Sequence, residues 1–142
     1  MLKRLRERAG SESGFTLIEL LVVMLILGIL AAIAIPAFLN QKSKASDATA
    51  KVNARTAQTA METCATDNST GSYAACDLAA LRAIEPAVPS SGVTVTPAAA
   101  TWSVTATGSA GNSFTIARDA NGNITRSCDV DGKGGCPTNG LW

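Results

Sequence analysis

The sequence predicts a small α+β protein in which one long N-terminal helix, membrane-spanning in its first half, packs by its second half on an antiparallel sheet of about four strands. Three observations predict this fold: an uncharged apolar run near the N-terminus that continues with helical periodicity, four short alternating segments in the C-terminal part, and four cysteines. The length of 142 residues, 46% of them hydrophobic, leaves room for one small globular domain.

Charge and composition argue against two function classes. Lys and Arg number 12 against 11 for Asp and Glu, which is not the basic excess of a nucleic-acid-binding domain. Histidine is absent, so the commonest general base and metal ligand is missing. A catalytic site would therefore have to use carboxylates, lysines or thiols alone, and no cofactor is expected.

The N-terminus combines a short basic segment with a membrane-length apolar run. The first fourteen residues contain four basic and two acidic side chains, and the twenty residues Leu20–Leu39 contain no charge. As a helix, this run spans roughly the 30 Å hydrocarbon core of a bilayer. Because the basic residues precede it, the positive-inside rule predicts a cytoplasmic N-terminus and an extracytoplasmic remainder.

An ordinary secretory signal is the simplest alternative for this segment. Ala32-Ile33-Ala34 has the small residues of a cleavage site, so the mature chain would begin at Ile35. However, the apolar run is longer than the 7 to 15 residues of a cleavable signal core, and Glu19 has no use in such a signal.

The run Gly14-Phe15-Thr16-Leu17-Ile18-Glu19-Leu20-Leu21-Val22-Val23 resembles the class III signal of type IV prepilins and related pseudopilins. The resemblance covers about forty residues, from the basic leader to Asn40. It implies cleavage after Gly14 by a prepilin peptidase, N-methylation of Phe15, a role for Glu19 in assembly, and the type IV pilin fold. A glycine before the cut gives a peptidase close access to the backbone.

Glu19, Gly28 and Pro36 are the notable positions within the apolar segment. A buried Glu19 carboxylate needs a counter-charge, which the freed amino group of Phe15, in the same or a neighbouring subunit, would supply; such a pair sets the register between subunits. Pro36 cannot donate a helical hydrogen bond, so we expect a kink there. The resemblance implies that the stretch from Gly28 to Pro36 can lose helical structure on assembly.

Helical periodicity continues beyond Asn40 to about Thr66. A narrow face of small residues is expected to pack on the sheet: Ala45, Ala48, Val52, Thr56, Ala60 and Cys64. Charged residues are expected to solvate the rest of this helix: Lys42, Lys44, Asp47, Lys51, Arg55 and Glu62.

The remainder predicts a short helix and a sheet. Asp77 is a good N-cap for a helix over Leu78–Ile84, and prolines follow it. Alternating residues predict strands at 93–95, 102–106 and 114–116 and near Ile124, with the turn Asp119-Ala120-Asn121-Gly122 between the last two. The sheet face that covers the helix is expected to consist of Trp102, Val104, Phe114 and Ile116.

The four cysteines are most simply two disulfides of an extracytoplasmic domain. Three pairings are possible, and pairing Cys64 with Cys76 and Cys128 with Cys136 closes the shortest loops. The loop from Cys128 to Cys136 contains Asp129 and Asp131, a weak calcium candidate. Because it lacks the further ligands of an EF-hand and carries a lysine, a stapled surface loop is the preferred interpretation and no metal is expected.

The resemblance implies a structural subunit of a type IV pilus rather than an enzyme, supporting adhesion, motility or DNA uptake. The alternatives are a minor pilin, a competence pilin or a type II secretion pseudopilin, and, as a different class, an ordinary secreted or membrane-anchored binding domain. The predicted partners are further copies of this chain in a helical homopolymer, the membrane before assembly, prepilin peptidase, and, by resemblance, the inner-membrane assembly platform and its ATPase. The precursor is expected in the cytoplasmic membrane and the product in an extracellular filament.

The chain is predicted to divide into a leader at 1–14, an assembly helix at 15–40 and a globular domain at 41–142. The globular domain consists of a helix continuation at 41–66, a connecting loop at 67–92, and the sheet and C-terminal loop at 93–142.

Overall fold

The computed structural model describes residues 14–142, so the predicted leader, apart from Gly14, lies outside the described residues. Within these residues, two helices and four strands follow one another: α1 (Leu17–Asp67), α2 (Leu78–Ile84), β1 (Val93–Pro97), β2 (Trp102–Thr107), β3 (Ser113–Arg118) and β4 (Ile124–Cys128). The chain forms two compact units that divide between Phe38 and Leu39. The predicted α+β fold, with one long helix and a small sheet, is confirmed.

The α2 helix has the bounds that its capping residues predict. The Asp77 side chain accepts a hydrogen bond from the backbone N–H of Ala80 at 2.8 Å, which satisfies one of the free donors of the first turn. The helix ends at Ile84, just before Pro86, which cannot continue it.

The four strands form an antiparallel meander in the order β1-β2-β3-β4. The β3–β4 connection is the predicted turn, in which the backbone N–H of Gly122 donates to the carbonyl of Asp119 at 3.0 Å. Gly122 has a φ of +86°, a conformation that glycine adopts without steric cost.

The core of the second unit consists of one face of the sheet, the second half of α1 and α2. The predicted inner face of the sheet is confirmed, since Trp102, Val104, Phe114 and Ile116 are all buried. They share one cluster with Leu81 of α2 and with alanines of α1. Small helix residues opposite large aromatic and branched strand residues allow the two layers to pack closely.

The predicted buried face of α1 is wrong for most of its members. Ala45 and Ala48 are exposed, Val52 is 59% exposed, and Thr56 is only half-buried, whereas Ala60 and Cys64 are buried as expected. The face that packs on the core is instead formed by Asp47, Ala50, Ala54, Ala57, Ala60, Met61, Cys64 and Ala65. The reason is that α1 carries small residues on two faces, and the face chosen is the one that also brings the large Met61 side chain and the disulfide-bonded Cys64 into the core.

Candidate assembly segment and loop anchor

The apolar half of α1 has no buried residue. Every side chain from Leu17 to Leu39 is exposed, and the branched and aromatic ones are between 43% and 82% exposed. In the described part of the chain, α1 is the one helix long and apolar enough to cross a membrane. A surface this apolar is stable only in lipid or against other protein.

Gly14 and Phe15 lie immediately before α1, in a segment without regular structure. Phe15 is 80% exposed, and a Cβ placed on Gly14 would contact nothing within 4 Å among the described residues. The bond between them is therefore accessible to a peptidase in this conformation. Cleavage here and methylation of Phe15 stay predictions.

Glu19 is held by the residue that caps α1. Its Oε2 accepts hydrogen bonds from the backbone N–H of Thr16 at 2.8 Å and from Thr16 Oγ1 at 2.7 Å, and the N–H of Glu19 donates back to Thr16 Oγ1 at 3.3 Å. This is a reciprocal capping box, which places the carboxylate at the positive end of the helix dipole. Thr16 was not predicted as the hydrogen-bond partner of Glu19, although a threonine three residues before a glutamate at the start of an apolar run is the known signal for a capping box.

Gly28 and Pro36 both lie inside α1, which is helical on either side of them. A Cβ on Gly28 would meet no atom within 4 Å among residues 14–142, so no described contact requires a glycine at this position. Their predicted role as the place where the helix breaks on assembly stays a prediction.

Asp47, which the sequence analysis placed on the solvated surface of α1, is fully buried. Its Oδ2 accepts a hydrogen bond from Asn112 Nδ2 at 2.7 Å and another from the backbone N–H of Gly135 at 2.7 Å. Its Oδ1 has no hydrogen-bond partner among the described residues. A buried carboxylate needs such donors because water no longer solvates it. Asp47 therefore joins α1 to both the β2–β3 loop and the C-terminal loop.

Three glycines surround the Asp47 carboxylate. A Cβ on Gly108 would lie 2.6 Å from Asp47 Oδ1, and a Cβ on Gly135 would lie 2.9 Å from Asp47 Cβ. Gly134, with a φ of +58°, approaches the carboxylate closely enough that a Cβ would overlap Oδ2. Asp47 shares the spacing of the buried series Ala50, Ala54, Ala57, Met61 and Cys64, but small residues on a second face have the same spacing, so spacing alone does not indicate that Asp47 is buried.

Lys51, one turn beyond Asp47, also contacts the C-terminal part of the chain. Its Nζ donates to the carbonyl of Gly135 at 2.6 Å and lies 5.0 Å from the ring centre of Phe114 and 5.5 Å from that of Trp142. These contacts combine a charged hydrogen bond with cation–π interactions.

The disulfides join Cys64 to Cys76 and Cys128 to Cys136, the pairing with the shortest loops. The first links α1 to the segment just before α2. The second closes the loop that contains Gly134 and Gly135, the neighbours of Asp47. Both therefore restrain segments that contact the second half of α1.

The two calcium candidates, Asp129 and Asp131, contact other parts of the chain. Asp129 accepts a hydrogen bond from the backbone N–H of Ser113 at 2.7 Å, and Asp131 lies beside Gly140, whose Cβ would be 2.7 Å from Asp131 Oδ1. Among residues 14–142, no three or more His, Cys, Asp or Glu side chains are placed to hold a metal ion.

Comparison with known proteins locates similarity at the N-terminal end. A family model described as "Prokaryotic N-terminal methylation motif" matches residues 10–35. The type IV major fimbrial protein FimA of Dichelobacter nodosus is 47% identical over 62 residues, 42% of this chain and 38% of FimA. The type IV major pilin protein PilA of Myxococcus xanthus is 49% identical over 49 residues, 34% of this chain and 22% of PilA.

The matches span less than half the length of either relative. No solved structure matches the chain. The motif nevertheless lies where the structure has its exposed apolar helix, and a four-stranded antiparallel sheet with a disulfide-closed C-terminal loop follows that helix. The chain thus carries a prokaryotic N-terminal methylation motif and is similar over its N-terminal part to major type IV pilins, and its fold is the one expected of a type IV pilin.

Proposed function

We propose that this chain is the structural subunit of a type IV pilus, made as a membrane precursor, cut after Gly14 and polymerised through the apolar half of α1. The observation that carries the proposal is the exposed apolar surface from Leu17 to Leu39, whose first turn carries a glutamate held in a capping box. The names of the two relatives, a major fimbrial protein and a major pilin, support a major subunit over a minor pilin, a competence pilin or a secretion pseudopilin.

Transfer of α1 from lipid into a bundle of helices provides little hydrophobic free energy, because lipid is as apolar as leucine. Assembly then depends on packing and on polar pairs. Small residues such as Gly28 allow close approach of neighbouring helices. Glu19 adds specificity, because a carboxylate in an apolar bundle requires a positive partner, and the new amino group of Phe15 is the nearest one in the sequence.

The proposed processing fits this chemistry. A prepilin peptidase removes the basic leader after Gly14 and methylates Phe15, whose amino group stays positively charged. An assembly platform with its ATPase then moves the subunit from the cytoplasmic membrane, where its N-terminus faces the cytoplasm, into an extracellular filament. The chain has a structural role in this scheme, with no enzymatic step of its own.

The first test is the mature N-terminus of protein sheared from the surface of its native cells, determined by intact mass and N-terminal sequencing. We expect a chain that begins at methylated Phe15 in a high-molecular-weight fraction. A soluble monomer that begins at Ile35 would instead establish an ordinary exported domain, and a start at Met1 would establish an unprocessed membrane protein.

The second test separates processing from assembly. Glu19→Gln removes the charge but keeps the size of the side chain, so we expect normal cleavage and loss of sheared filaments. Asp67→Asn, at the exposed end of α1, removes one negative charge as a matched control and should leave filament yield unchanged. Normal filament yield from Glu19→Gln would contradict a role for this carboxylate in assembly.

A further inference from the structure

A groove of about 540 Å³ begins directly after the apolar half of α1. Three segments form it: α1 at residues 40–44, the β2–β3 loop and the Cys128–Cys136 loop. Its lining consists of Asn40, Ser43, Lys44, Ala110, Asn112, Gly132, Lys133 and Gly134. The function proposed above does not use this groove.

Hydrogen bonds to buried Asp47 and between the two loops hold the lining of the groove in place. Asn112, which lines it, donates to buried Asp47 at 2.7 Å and to the carbonyl of Lys133 at 3.3 Å, and so joins the two loops. Gly134, which also lines it, leaves no room for a side chain beside the Asp47 carboxylate. Because a disulfide closes the Lys133 loop, this side of the groove is preorganised rather than formed by a free tail.

The chemistry of the lining selects an anion. Lys44 and Lys133 contribute two ammonium groups, Ser43 and Asn40 add hydroxyl and amide donors, and no aspartate or glutamate lines the groove. In the described part of the chain, neither lysine is in an ion pair, since the single ion pair joins Arg118 to Glu62. Neither acidic side chain of the same loop lines the groove: Asp129 accepts from the N–H of Ser113, and Asp131 lies close to Gly140. The Asp47 carboxylate is buried behind the lining, and its Oδ2 is already taken by Asn112 Nδ2 and the N–H of Gly135.

The position of Lys44 just beyond the apolar run indicates a membrane lipid as the source of the anion. The apolar run ends at Leu39, and Lys44 follows five residues later, roughly 7.5 Å of helix rise beyond the hydrocarbon boundary. This is the depth of the lipid headgroups, where phosphate groups are concentrated. We propose that this groove binds the phosphate of an anionic phospholipid in the outer leaflet while the subunit is anchored in the membrane. The proposal rests on the membrane-anchored stage of the function proposed above.

The test uses the full chain in vesicles of phosphatidylglycerol mixed with phosphatidylcholine, with native mass spectrometry to count each lipid retained on the extracted protein. We expect preferential retention of phosphatidylglycerol, and roughly tenfold weaker preference in Lys44→Gln/Lys133→Gln, since each basic residue at an anionic surface contributes favourably. The variant Lys44→Arg/Lys133→Arg keeps both charges and should keep the preference.

Lys42→Gln is the matched control, because Lys42 lies at the same end of the apolar run but does not line the groove; it lines an adjoining hollow that shares Ser43 and Ala110 with the groove. A general attraction of lysines to the membrane surface predicts equal losses from Lys42→Gln and Lys44→Gln. That result would overturn the proposal. Unchanged thermal unfolding of each variant checks that the loops stay folded.

The remaining outcomes are equally decisive. Equal retention of the two lipids by the unmodified chain would overturn the proposal, and displacement of phosphatidylglycerol by millimolar inorganic phosphate would assign the groove to a soluble anion. Flotation with the vesicles separates the two hypotheses. A chain that floats without lipid preference refutes only the groove, whereas a chain that does not float refutes membrane anchoring, and the groove proposal with it.

Discussion

The two halves of α1 differ in the burial of their side chains, although they belong to one continuous helix. From Leu17 to Leu39 no side chain is buried, whereas from Asp47 to Ala65 eight residues are buried on one face against the sheet. The first half is apolar on all sides, and the second has a single buried stripe with polar residues around it. The apolar surface of the first half therefore requires lipid or other protein chains around it, whereas the buried stripe of the second half packs within its own domain.

The largest expected effect concerns one methionine in each half of α1. Met61 is fully buried and Met24 is 64% exposed. Met61→Ala should lower the free energy of unfolding of the full chain in detergent micelles by about 2–5 kcal/mol, because it leaves a cavity. Met24→Ala should leave unfolding of the domain unchanged and reduce the yield of sheared filaments. Equal destabilisation by the two substitutions would show that the halves of α1 do not differ as described.

The next effect concerns Asp47, the polar member of the buried stripe. Asp47→Ala leaves Asn112 Nδ2 and the N–H of Gly135 without their acceptor. We expect a loss of about 3 kcal/mol in denaturant unfolding with both disulfides intact, the cost of buried donors that lose a charged partner. Asp67→Ala, which removes an exposed aspartate of the same helix, should change stability by less than about 0.5 kcal/mol. Similar results for the two variants would contradict the role of Asp47 as an anchor.

Local signals in the sequence were enough to predict most of the fold. Asp77 as an N-cap and the following prolines gave the bounds of α2, and the alternation of Trp102, Val104, Phe114 and Ile116 gave the inner face of the sheet. Each signal acts within a few residues of the element that it specifies, so no knowledge of tertiary contacts is needed.

The buried face of α1 could not be predicted in the same way. Small residues occur on two of its faces, and helical periodicity alone cannot choose between Ala48 and Ala50. The choice depends on tertiary partners: the donors to Asp47 lie 65 and 88 residues further along the chain. An aspartate without these donors belongs on the surface, which is why its interpretation as a solvated residue was wrong. Thr16 differs, because its capping partner is three residues away and the motif was present in the sequence.

The smallest expected effect tests the orientation of the second half of α1 through the pKa of Tyr73, the single tyrosine of the chain. Tyr73 is buried, and its hydroxyl donates to Glu62 Oε2 of α1 at 2.5 Å. Burial raises the pKa of Tyr73 above its ordinary value of 10.0, and the hydrogen bond and charge of Glu62 raise it further, whereas Arg118 opposes the shift. An absorbance titration of the native chain should therefore have its tyrosinate midpoint above pH 10.

The sign of the linkage follows from this direction. Since folding favours the neutral phenol, its contribution to stability is complete below pH 10.0 and is lost as the pH rises through the higher pKa of the folded state. Glu62→Gln should move the midpoint down towards 10.0 without reaching it, because burial is the largest cause, and Arg118→Gln should move it up. The downward shift requires that α1 presents Glu62 to the Tyr73 hydroxyl. If the helix instead packed through the face of Val52 and Thr56, Glu62→Gln would leave the midpoint unchanged, whereas substitution of Arg118, which lies on β3 over the Tyr73 ring, would still move it.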